Sequence, residues 1–123
     1  MPDNAADLDL TFLNEIADGS DEFIVESIGM FLEQSPVILQ EIGDAINAGD
    51  WLLAAASAHK IKANLGFFGM NNSHALIAEI EVESKTGGRD PESIKTKFAE
   101  ATAFINEAII KLRKVKAEKE ANL

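Results

Sequence analysis

From Ile94 onward, apolar residues fall at Ile94, Phe98, Ala101, Ile105, Ala108, Leu112 and Val115, alternating steps of four and three. A repeat of about 3.5 residues lines these side chains up as one seam along a helix. Such a seam is buried only against helices lying nearly parallel or antiparallel to it, which makes a bundle the natural solution. The rest of the chain supplies the partners, since helical spacing recurs throughout and no segment keeps a period of two. Leu8, Leu10, Phe12, Leu13 and Ile16 suggest a short first helix ending at Gly19. Ser20 is placed to cap a second helix whose stripe is Phe23, Ile24, Ile28, Phe31 and Leu32, with Asp21 and Glu22 at its positive end. Ser35-Pro36 interrupts that stripe before Ile38, Leu39, Ile42 and Ile46 resume it. A proline there is compatible with a break or with a kink in one long helix.

Further along, Gly49 ends this segment and Asp50 caps a helix running from about Trp51 to Phe67. Gly69 and Asn71-Asn72-Ser73 form a turn and cap, after which Leu76, Ile77 and Ile80 carry a helix towards Lys85. Thr86-Gly87-Gly88 is a loop, and Asp90-Pro91-Glu92 opens the seam helix with a cap, a first-turn proline and an acid. The predicted fold is all-α, an antiparallel four-helix bundle with an additional N-terminal helix. It is one domain over residues 1–123, with its core at about 8–115 and a basic helix end at 111–123. The length is sufficient for such a core, because a chain of this size buries well over half of its unfolded surface.

Charge narrows the function classes. Residues 1–58 hold 12 acidic side chains and no Lys or Arg, whereas residues 59–123 hold 11 basic and 9 acidic ones. The net charge of −10 argues against nucleic-acid binding, which needs clustered cations, and favours a monomer. There are no cysteines, hence no disulfide framework, thiolate nucleophile or Cys-based zinc site. The run from Trp51 to Ala58 is too short to span a bilayer. Met1-Pro2-Asp3-Asn4 lacks the basic and apolar regions of a secretory signal. The expectation is a cytoplasmic protein without a membrane partner, and Met1 with a complete bundle favours a stand-alone chain.

One histidine stands out by its position on its helix. With His59 at 0° on a wheel of about 100° per residue, Ile61 and Phe68 fall opposite, flanked by Ala54, Leu65 and Leu53. The ring therefore points away from the core. Leu52, Ala55, Ala56, Ala63 and Gly66 lie within about 60° of it, and apart from Leu52 these are too small to shield it. An ordinary solvent face carries Glu, Lys and Gln; this one suits docking around a reactive ring. Lys62, one turn on, can bring its ammonium near whatever the imidazole carries.

Unperturbed imidazole titrates near pH ~6.5, and its neutral form is a competent nucleophile at cellular pH. Attack on a phosphoryl group would give a phosphoramidate, with Lys62 offsetting charge on the phosphoryl oxygens. The phosphate loop GxxxxGK[ST] does not occur, so such a chain would receive and pass on the group rather than take it from a nucleotide.

Residues 58–69 read Ala-His-Lys-Ile-Lys-Ala-Asn-Leu-Gly-Phe-Phe-Gly. Through Ala58-His59, Ile61, Lys62 and Gly69 this segment resembles the signature of histidine-containing phosphotransfer (HPt) domains of two-component phosphorelays. Gly49-Asp50-Trp51 before it and Leu76 and Ile80 after it also resemble that family. The resemblance implies a helical bundle whose His59 accepts a phosphoryl group from a receiver-domain aspartate, or from a histidine kinase, and passes it to a response regulator. It implies that Lys62 assists, that the Mg²⁺ sits on the partner receiver, and that the chain needs no cofactor or metal and is a phosphocarrier rather than an enzyme. By similarity to the chemotaxis-kinase type, Glu81, 22 residues after His59, orients the ring. The family usually has Gly where this chain has Ala63, whose methyl group leaves the ring accessible while taking some of the room open to the docking partner or the phosphoryl group.

Other readings are weaker. A di-iron bundle needs Glu-x-x-His pairs, but Ala56 and Asn71 precede His59 and His74 by three. His74, near the start of its helix, is expected to be an ordinary surface residue. A hydrolase would need a water-excluding cleft, which an exposed helix face does not provide. The principal alternative is a helical adaptor that binds a receiver or another signalling partner without accepting phosphate. An intact His59 and Lys62 argue against it.

Overall fold

The computed structural model describes residues 7–123. Five helices follow in order: α1 (Thr11–Ala17), α2 (Asp21–Ala48), α3 (Trp51–Phe67), α4 (Asn71–Lys85) and α5 (Pro91–Glu120). Among the described residues there is no strand. The connections at 49–50, 68–70 and 86–90 are too short to cross the bundle, so each helix runs back along its predecessor. α2 packs on α3 and α5, α4 packs on α3 and α5, and α1 lies against α2. The fold is the predicted antiparallel four-helix bundle with an extra N-terminal helix.

The seam of α5 does what its spacing requires. Ile94, Ala101, Ile105, Ala108 and Leu112 are buried, and Phe98 and Val115 pack partly buried against the same core. Ile28, Ile42, Ile61, Leu65, Ile77 and Ile80 meet them from the other three helices and are fully buried. Pro36 neither breaks nor divides its helix: α2 is continuous from Asp21 to Ala48. Pro36 itself is exposed; a proline inside a helix gives up its own N–H bond and crowds the carbonyl four residues before it, yet the helix continues through it.

Helix starts follow the predicted chemistry at three of four bundle helices. The side chains of Ser20, Asp50 and Asp90 accept from the backbone N–H of Phe23, Leu53 and Ser93, at 3.1, 3.2 and 3.1 Å. The fourth start differs from expectation. Asn71, Asn72 and Ser73 are the first turn of α4 rather than a turn before it, and Met70 at the N-cap has no capping side chain. The cap comes from Asp7, more than sixty residues earlier in the chain. Its carboxylate accepts from the N–H of Asn72 at 2.9 Å and of Ser73 at 2.8 Å, and from the Ser73 hydroxyl at 2.7 Å. Asp7 is buried in doing so.

Residues 7–10 thus form a strap across the α3–α4 turn, and α1 starts at Thr11 rather than at Leu8. The strap lies so close that a Cβ at Gly69 would overlap the Asp9 carbonyl, and Gly69 also has a positive φ of 64°. At the other end of the bundle the Trp51 ring lies against Gly88 in the same intimate way. Both turns admit only glycine.

The uneven charge is partly settled between helices. Lys60 on α3 pairs with Glu41 on α2 at 3.1 Å, and Lys119 near the end of α5 pairs with Asp21 at the start of α2 at 3.5 Å. The carboxylate of Glu41 is held below the ordinary range by the Lys60 and Ser57 hydrogen bonds. No helix among the described residues is long and apolar enough to cross a membrane.

Removing the remote cap tests this account of the strap. Asp7→Ala should lower stability by about 1–2 kcal/mol, the upper range for loss of a capping side chain. In urea unfolding it should lower the midpoint with an unchanged slope, whereas an unchanged midpoint would show that the strap contributes nothing to α4.

Candidate functional site

Two helices build the site. On α3, His59 faces outward with its side chain 70% exposed, as its wheel position requires. On α4, Glu81 lies on the face turned towards α3 and is only 3% exposed. The short 68–70 connection lays the two helices side by side, which brings these residues together. Glu81 Oε2 is 3.0 Å from His59 Nδ1, and Glu81 Oε1 accepts from the Lys62 ammonium at 2.7 Å. A third cation joins them: Lys85, one turn along α4, places its Nζ 3.1 Å from the same Oε2.

A buried carboxylate is normally driven towards its neutral form. Here the Lys62 hydrogen bond, helped by Lys85 and His59, outweighs desolvation and lowers Glu81 from 4.5 to about 2. Glu81 is therefore ionised at neutral pH and can only accept hydrogen bonds. It follows that the proton of a neutral His59 ring sits on Nδ1, donated to Glu81. The lone pair is then on Nε2, at the outer side of the ring.

Beside the histidine lies an open depression of about 410 Å³, lined by Leu52, Ala55, Ala56, His59, Glu81 and Lys85. Leu52 rises at its edge, 84% exposed. Ala56, Ala63 and Gly66 are also exposed, as the wheel predicted. Ala55 is a correction: it is 5% exposed and contributes to the floor of the depression rather than to an accessible surface. On the wheel Ala55 and Lys62 lie about 40° and about 60° to the same side of His59, and that is the flank α4 covers. A single-helix projection separates inside from outside but cannot show which flank a neighbour occupies. Leu53, expected near the core, is 44% exposed in the first turn of α3.

Lys85 was not among the residues singled out from the sequence. Its signal was its place four residues after Glu81, the distance of one helical turn on the same face. His74 is half-buried, and its ring is 3.8 Å from where a Cβ on Gly66 would be. A smaller depression of about 210 Å³ between α2 and α3, bordered by Met30, Phe31, Phe67 and Phe68, contains no titratable side chain. Among the described residues, no three His, Asp or Glu side chains gather as a metal-ligand set.

A family model described as the Hpt domain matches residues 26–113, most of the chain and all of the two helices that build this site. The chain belongs to the Hpt domain family, helical bundles that act as phosphocarriers in phosphorelays. Neither the curated proteins nor the solved structures gave a match.

The lowered value of Glu81 carries a pH signature. Its folded-state pKa lies below the unfolded one, so its contribution is complete above about pH 4.5 and is lost as pH falls towards about 2. Glu81→Gln should cost about 1.5–3 kcal/mol at pH 7, the range for hydrogen bonds to charged groups. The deficit relative to wild type should shrink as both are acidified through that window. A deficit independent of pH would mean that Glu81 acts by packing alone.

Proposed function

We propose that this protein accepts a phosphoryl group on His59 Nε2 from a receiver-domain aspartyl phosphate, or from a histidine kinase, and passes it to the aspartate of a response regulator. The observation that carries this reading is the exposed ring held through Nδ1 by a buried, ionised carboxylate. Family membership supports it at the level of histidine phosphotransfer in general.

In the forward step the Nε2 lone pair attacks phosphorus. The Nε2–P bond forms, the acyl O–P bond breaks, and its electron pair leaves with the donor's aspartate carboxylate. The ring acquires a positive charge as this happens. Glu81 is already oriented on the Nδ1 proton and stabilises that charge without reorganisation. Lys62 holds Glu81 ionised and offsets negative charge developing on the phosphoryl oxygens. Passing the group on reverses each bond change at a second receiver. The Mg²⁺ that such receivers use resides on the partner, and under this reading the exchange takes place in the cytoplasm.

Access is the second requirement, because phosphorus bound to another protein must come within bonding distance of Nε2. The small, exposed side chains of Ala56, Ala63 and Gly66, with Leu52 as an apolar contact, suit a partner laid across α3. The floor residue Ala55 keeps this surface low beside the ring.

Incubation with a Mg²⁺-loaded, phosphorylated receiver tests the reading. Wild type should acquire an acid-labile, alkali-stable label, and His59→Gln none. A variant that still supports signalling without label would favour an adaptor instead. Ala63→Glu, on the exposed face, should slow transfer from the receiver by about tenfold or more, equivalent to about 1.4 kcal/mol, at an unchanged melting temperature. An unaltered rate would remove Ala63 from the docking surface.

A further inference from the structure

We propose that Lys85 is a second phosphoryl-binding cation, which leaves Glu81 and pairs with the phosphoryl oxygens on His59 as the group arrives. The inference rests on the phosphoacceptor reading of His59 and assigns to α4 a direct part in it.

Three observations converge on Lys85. First, it shares one atom with the reacting ring: Glu81 Oε2 receives both His59 Nδ1, at 3.0 Å, and Lys85 Nζ, at 3.1 Å. Imidazole and ammonium therefore occupy adjacent bonding positions on a single oxygen. Lys85 also lines the depression that opens beside the ring. Second, the local charges do not balance. One carboxylate faces two ammonium groups, leaving a surplus positive charge where an anion is to be received. Third, the two lysines are held unequally. Lys62 is 29% exposed and bonds Oε1 at 2.7 Å, whereas Lys85 is 63% exposed and bonds the shared oxygen at the longer distance. Lys85 is the cation that can move at little cost.

An ordinary helix-surface pair four residues apart is worth only a few tenths of a kcal/mol and sits with both members in solvent. The present pair differs because its carboxylate is buried and already satisfied by Lys62 and His59. Transfer sharpens the difference. Once Nε2 carries phosphorus the ring is cationic, its bond to Oε2 becomes charge-assisted, and three positive charges crowd one carboxylate. Repulsion at Glu81 and attraction by the doubly negative phosphoryl group then act on Lys85 in the same direction. Lys62 remains as the counter-ion that keeps Glu81 ionised.

Phosphoramidate, a small donor that needs no docking surface, separates this chemistry from partner recognition. The neutral ring attacks its phosphorus, the Nε2–P bond forms, the donor's P–N bond breaks and ammonia departs. Lys85→Met keeps the aliphatic stem and removes the charge. It should slow labelling by phosphoramidate and by a phosphorylated receiver by a similar factor, about tenfold. It should also raise the pH at which the phosphoryl ³¹P resonance titrates. Lys85→Arg should restore most of the rate, and the melting temperature and the His59 ring ¹⁵N shifts of the unphosphorylated protein should stay as in wild type. Wild-type rates and titration in Lys85→Met would overturn the proposal. Slowing with the receiver alone would assign Lys85 to docking, and altered ring shifts would assign it to positioning; either outcome also overturns it. Failure of wild type to take label from both donors would instead refute the phosphoacceptor reading on which the inference stands.

Discussion

The carboxylate of Glu81 is the interaction on which the site depends. It is nearly inaccessible to water yet ionised, a combination that persists only where cations and hydrogen-bond donors replace the lost hydration. Lys62 supplies one such group from α3 and Lys85 another from α4, and the imidazole of His59 supplies the third. The Lys62 and His59 contacts join the two helices, and the His59 contact sets the tautomer of the exposed ring. Packing and chemistry are thus coupled through one side chain, and its protonation would loosen both.

The framework around that contact is held by devices at its two ends. At one end the Trp51 ring lies on Gly88; at the other the segment from Asp7 to Leu10 crosses the α3–α4 turn above Gly69. Asp7 caps α4 from outside the stretch that matches the family model, which begins at residue 26. The histidine helix and the carboxylate helix meet at the turn this strap covers. Anchoring the start of α4 restrains the helix that presents Glu81 and Lys85, without any contact between the strap and the ring.

Much of this was legible in the residues. The alternation of four and three from Ile94 to Val115 required a bundle, and the caps at Ser20, Asp50 and Asp90 marked helix starts because they act on N–H groups three residues away. The outward direction of His59 followed from periodicity alone. The segment around it carried the family resemblance, which the match over residues 26–113 bears out. What escaped was long-range. Asp7 gave no local sign of capping Ser73, and Ala55 looked accessible until α4 covered its flank. Lys85 looked like any surface lysine while the burial of its partner was unknown.

The division has a physical origin. Periodicity, capping and helix direction are decided within a few residues by backbone geometry and side-chain type, so the sequence by itself determined an all-α bundle with a histidine facing away from its core. Burial, shared hydrogen bonds and ionisation depend on which surfaces come to face one another. Only the tertiary structure decided that Glu81 is buried and charged, that two lysines converge on it, and that Nδ1 rather than Nε2 is tied down. Those are properties of the α3–α4 interface, and they exist only once the turn at Gly69 has folded one helix back against the other.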